Sequence, residues 1–121
     1  MALCPVRKGE NMEKRLQDSE LKVMNVIWRE QPVRAKRIVE ALAEETGWNV
    51  NTTYTVIKRC IEKGAVERSE PGFLCRALVT KKDVQNDETD RLIERLFDGS
   101  LDKLYYALLE RKRVIATSRR P

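Results

Sequence analysis

From Asn51 to Gly64 the chain reads NTTYTVIKRCIEKG. Wound as an α-helix, this stretch puts Thr53, Val56, Ile57 and Cys60 at i, i+3, i+4 and i+7, on one core-facing stripe. Asn51, Thr52, Tyr54, Thr55, Lys58 and Arg59 fall on the other side. Their chemistry is hydrogen bonding and ionic contact, not bond making. An Asn amide donates and accepts toward an adenine edge, and a Thr offers a hydroxyl together with a methyl suited to thymine. Lys58 and Arg59 lie a turn or more further on and suit phosphate oxygens. No side chain from Asn51 to Cys60 is acidic, and Glu62 is the helix's only acid. An ordinary solvated helix can also be polar on one side, so the surrounding elements must decide between the two readings.

Much other chemistry is excluded by composition. With no His in 121 residues, Ser-His-Asp and Cys-His nucleophilic sites and His-ligated zinc are ruled out. Cys4, Cys60 and Cys75 form no CxxC pair, and an odd, scattered set points to reduced thiols in a cytoplasmic protein. Cys60 and Cys75 both fall on apolar-facing positions, which favours small buried hydrophobes over a redox or metal pair. No catalytic residue, metal ligand or cofactor is expected, and no enzyme. No apolar run reaches the length of a membrane span, so no membrane insertion is expected.

The net charge is +5 and the pI is near 9.3. Residues 1–110, however, hold 19 basic and 19 acidic side chains. The whole excess lies in Arg111, Lys112, Arg113, Arg119 and Arg120. Bulk charge therefore says little about nucleic acid, and a basic surface has to come from local clustering.

The elements that must position the polar face follow from periodicity and caps. Residues 1–15 read as a disordered leader, with Met12 as an alternative start. QDSELKVMNVIWREQP predicts a first helix capped by Asp18 or Ser19, with Leu21, Val23, Met24, Ile27 and Trp28 inward, ended by Pro32. RAKRIVEALAEET predicts a second, with Ala35, Ile38, Val39 and Leu42 inward and Gly47 as its stop. Its start lacks a good cap, and Arg34, Lys36 and Arg37 crowd the first turn against the helix dipole. That turn is either solvated or a seat for an anion. The third helix is the opening stretch, capped by Asn49 and stopped at Gly64, with Trp48 as a packing residue before it.

Ala65 to Ser69 and Leu74 to Val79 alternate around Glu70-Pro71-Gly72-Phe73, which predicts a hairpin. Arg68 and Arg76 on it are placed to grip flanking phosphates. Thr80 to Asp83 resembles a capping box opening a fourth helix, polar to Asp90 and then apolar at Leu92, Ile93, Leu96 and Phe97. After Asp98-Gly99, Ser100 caps a fifth helix with Leu101, Leu104, Tyr105, Leu108 and Leu109 on one face. The two apolar faces predict a dimer contact. The fold class is mainly α with a small β-hairpin wing: a winged helix-turn-helix DNA-binding domain over residues 16–80, a helical dimerisation region over 81–110 and a basic tail over 111–121.

Several separated segments, in order, resemble one family. SELKVMNVIW, TGWNVNTTYTVIKRCIEKGAVER, the LV that closes the hairpin and RLFDGSLDKL are similar to the penicillinase-repressor family of bacteria, the BlaI/MecI/CopY type, over about residues 16–110. The resemblance implies a homodimeric winged-helix repressor on a palindromic double-stranded DNA operator. The chemistry of the polar face and the hairpin then assigns Asn51, Thr52, Tyr54 and Thr55 to bases and Lys58, Arg59, Arg68 and Arg76 to phosphates. Many members carry Lys and then Arg or Lys where this chain has Asn51 and Tyr54. Beta-lactam-responsive members are released by a membrane sensor-protease system that cuts an Asn-Phe bond, but the matching positions here are Ala107 and Leu108. The paired Cys of copper-responsive members are absent. A winged-helix adaptor that binds protein instead of DNA is the alternative reading.

Overall fold

The structure is a computed structural model that describes residues 15–119, with side chains described to Val114. Residues 1–14 of the leader, with Met12 and Cys4, and Arg120 lie outside the described residues. The elements are α1 (Asp18–Glu30), β1 (Val33–Arg34), α2 (Ala35–Thr46), α3 (Val50–Glu62), β2 (Val66–Ser69), β3 (Leu74–Ala77), α4 (Lys81–Leu96) and α5 (Leu101–Arg119). They form two compact units that meet in sequence between Lys81 and Lys82. The fold is mainly helical with a small antiparallel wing, as the periodicity predicts.

In the first unit, α1, α2 and α3 enclose Val23, Met24, Val26, Ile27, Ile38, Leu42, Val56 and Ile57. Full burial of each large aliphatic side chain stabilises by roughly 1.5–3 kcal/mol. On α1 the inward set differs from expectation. Leu21 and Trp28 are half-buried, and Glu20 and Val26 are buried instead. The Trp28 indole N–H donates to the Val79 carbonyl at 3.0 Å, which keeps its edge polar and ties α1 to the end of the hairpin. The cap of α1 is Gln17, not Asp18 or Ser19. The Gln17 backbone N–H donates to Glu20 Oε1 at 2.7 Å, so the acid three residues on closes the turn. On α2, Ala41 is buried where Val39 was expected, and Val39 is half-buried.

Caps elsewhere follow local chemistry. Gly47 and Gly64 end α2 and α3 at φ of +80° and +81°, a conformation costly for other residues. α2 starts without a side-chain cap. Its first N–H, from Ala35, instead donates to the Phe73 carbonyl at 3.0 Å. The hairpin thus supplies what the helix's own sequence lacks.

The sheet has three strands in the order β1-β3-β2, all antiparallel. β1 pairs Val33 with Cys75 and Arg34 with Leu74. β2 pairs Val66 with Ala77 and Arg68 with Cys75. The hairpin is therefore bound on one edge to the segment between α1 and α2.

In the second unit, α4 is continuous from its polar first half into its apolar second half. It ends where Asp98 and Gly99 adopt positive φ and the Gly99 N–H donates to the Ile93 carbonyl at 3.0 Å. Ser100 Oγ accepts from the Lys103 N–H at 3.3 Å and so caps α5. That helix runs on to Arg119, so most of the basic tail is helical.

Candidate nucleic-acid interface

Helix α3 is held at both ends and along one face. At its N-terminus, Asn49 Oδ1 accepts from the Thr52 N–H at 2.8 Å. Thr53 is fully buried, yet its hydroxyl donates to the Asn49 carbonyl at 3.3 Å, so it carries no unmet polar cost. Val56, Ile57 and Cys60 continue the inward stripe. At the C-terminal end, Lys63 Nζ lies 2.6 Å from Glu20 Oε1 and 2.7 Å from the Arg15 carbonyl.

The opposite face is open. Asn51, Thr52, Thr55, Lys58 and Arg59 are exposed together on α3. Neither Lys58 nor Arg59 forms an ion pair among the described residues. Tyr54 is different. It is half-buried and packs against the core, with its ring centroid 5.8 Å from that of Phe73 at an interplanar angle of 47°.

The two wing cations have unlike surroundings. Arg68, on β2, places its guanidinium carbon 3.7 Å from the Phe73 ring centroid. It also pairs with Glu70 in the turn. The hydrogen bond from Arg68, then that from the Phe73 N–H, hold the Glu70 carboxyl below its usual range. Arg76, on β3, is exposed and stands across from Glu67 in the strand register.

Beyond the expected residues, Arg34 also reaches this edge. Gly72 sits at φ +90°, and a Cβ there would run into the Arg34 guanidinium. The signal for this approach was a Gly in the turn, which by itself indicates only backbone freedom. Phe73, the hub of the wing contacts, carries only a turn signal in the sequence. Arg37, one of the three cations crowding the start of α2, is engaged. It donates to Glu30 at 3.0 and 3.2 Å, and that bond chiefly lowers the Glu30 pKa. The solvated reading of that turn is the simpler one.

Both described thiols, Cys60 and Cys75, are buried. Burial pushes Cys60 up to about 12 and Cys75 up to about 11. Among the described residues no group of three or more His, Cys, Asp or Glu side chains could hold a metal ion. No helix among them is long and apolar enough to cross a membrane.

In the second unit, Leu92, Leu96, Leu101, Tyr105, Leu108 and Leu109 are exposed, and Ile93 and Phe97 are half-buried. Leu104 departs from that strip, because at 7% exposure it is already covered within the single chain.

The family model of the penicillinase repressor matches residues 16–119. The chain belongs to the penicillinase repressor family. The family is one of transcriptional regulators, not enzymes. The penicillinase repressor of Bacillus licheniformis is 26% identical over 97 residues, covering 78% of this chain and 76% of that protein. The solution structure of the DNA binding domain of the repressor BlaI matches with a TM-score of 0.54 and 28% identity, covering 58% of this chain and 88% of that one. Fold and family thus agree with those of winged-helix repressors, and the penicillinase-repressor match extends through α5.

Proposed function

We propose that this chain is a transcriptional repressor that binds a palindromic operator in double-stranded DNA as a homodimer. The observation that carries the proposal is the outer face of α3. It groups Asn51, Thr52 and Thr55 with Lys58 and Arg59, which form no ion pair among the described residues, and no acid lies between Asn51 and Cys60, in a member of the penicillinase repressor family. Asn51, Thr52 and Thr55 meet base edges in the major groove, and Lys58, Arg59, Arg68 and Arg76 meet phosphates. The likeness to the DNA binding domain of BlaI supports the placement of this surface on DNA.

Dimerisation is supported by the exposed apolar side chains of α4 and α5. Large apolar side chains exposed in this number on a small chain suit a contact with protein. A sensor-protease system is not part of the proposal. Ala107 and Leu108 stand where the family's cleavable bond would fall, and both lie inside α5, far from the extended shape a protease grips.

Selection of bound duplexes from random DNA tests the function. A twofold-symmetric sequence should be enriched, with half-sites about one helical turn, or roughly 10 base pairs, apart. No enrichment, with salt-insensitive binding of a protein instead, would favour the adaptor.

A further inference from the structure

We infer that Tyr54 is a positioning residue that sets the wing against the reading helix, and that it does not read a base. The inference rests on the proposed DNA binding and deepens it. Position on the helical wheel put Tyr54 with the readers. Its environment separates it from them. Asn51, Thr52 and Thr55 are exposed, whereas Tyr54 is half-buried and packed on the core.

Its ring meets Phe73, and Phe73 is held from three directions. Tyr54 approaches it from α3 with the centroids 5.8 Å apart. The Arg68 guanidinium lies over its ring at 3.7 Å from β2. Its carbonyl accepts from the first N–H of α2 at 3.0 Å. Phe73 sits at φ +51°, an unfavourable conformation for a large side chain, and these contacts hold it there. Tyr54, Phe73 and Arg68 thus form a continuous column from the reading helix to a wing cation. Glu70 fixes the far end by its pair with Arg68.

The column makes the place of Arg68 on DNA depend on the Tyr54 ring. The ring does the work, because the Tyr54 hydroxyl makes no hydrogen bond among the described residues. Aromatic pairs and cation–π contacts favour a defined geometry over mere contact. Loss of the ring therefore loosens a phosphate contact, which is felt equally by every DNA sequence.

The test compares Tyr54→Phe, Tyr54→Ala and Phe73→Leu in the full chain with Lys58→Ala as a reference. Binding to the selected operator and to a single-base-pair substitution panel is followed across salt concentrations. Thermal unfolding checks that each variant folds. Tyr54→Phe should match the wild type in affinity and base preference. Tyr54→Ala and Phe73→Leu should both weaken all duplexes by roughly tenfold or less and lower the salt slope by about 1, with base preference unchanged. A shift of preference at one base pair in Tyr54→Phe would overturn the inference while leaving the DNA-binding reading intact. So would an unchanged salt slope in both ring-removal variants. A wild-type chain that binds no DNA would bring down both.

Discussion

Lys63, at the C-terminal end of α3, and Glu20, in the first turn of α1, form a partly buried ion pair with Nζ 2.6 Å from Oε1. Glu20 is only 1% exposed, and the same oxygen accepts the Gln17 N–H. One carboxylate therefore closes the start of α1 and holds the far end of α3. Removal of Lys63 strands that charge. Lys63→Met should destabilise the chain by about 3 kcal/mol, and Glu20→Met together with Lys63→Met should recover much of the loss. Urea unfolding of the variants measures both. A Lys63→Met midpoint equal to the wild type would mean that the carboxylate finds another partner.

Two substitutions on the outer face of α3 should behave differently. Lys58→Ala should weaken all duplexes alike and lower the salt slope by about 1. Thr52→Ala should change preference at one base pair by about 1 kcal/mol and leave the slope alone. Fluorescence anisotropy across salt and a substitution panel separates the two. If neither substitution alters binding, the reading face lies elsewhere.

Burial raises both described thiols, Cys60 to about 12 and Cys75 to about 11, with the Glu20 charge adding to the shift of Cys60. An unfolded Cys titrates near 8.5, about the level at which the unfolded state begins to lose thiol protons. Their contribution to stability is complete below that pH and is lost as pH rises toward the folded values. Urea midpoints should fall between pH 8 and 10.5, and less steeply in Cys60→Ala. At pH 8 a thiol reagent should label the native chain at these two positions only as fast as the chain opens.

In sedimentation, Leu108→Asp should shift the chain from dimer to monomer without loss of helix. Leu104→Asp is the wrong probe of the interface, because Leu104 is covered within one chain and its loss should also lower the unfolding midpoint. An unchanged dimer in Leu108→Asp would move the contact off the exposed strip.

Features whose physics is local were legible in the sequence. Asn49, Ser100, Gly47 and Gly64 cap or stop helices through bonds within a few residues, and each does so here. The inward stripe of α3 follows from period alone. What escaped depends on distant partners. Val33 and Arg34 have no periodicity as a two-residue strand, and they become one because β3 offers a free edge. Glu20 shares a face with Met24 and Ile27, but a carboxylate there looks misplaced until Lys63 arrives from a position 43 residues away. Tyr54 sits on the polar side of the wheel, yet a side chain of its length reaches the wing, which helical spacing does not encode.

The side chains of Asn51, Thr52 and Thr55 form no hydrogen bond among the described residues, and all three are exposed. Cap, core and ion pair hold α3 through other positions. Substitutions at these three sites should therefore stay within about 0.5 kcal/mol of wild-type stability. Folding places almost no constraint on them, so mutation can explore them freely. Under the proposed DNA-binding function, a lineage could exchange one operator for another by small steps here, each passing through a chain that still folds.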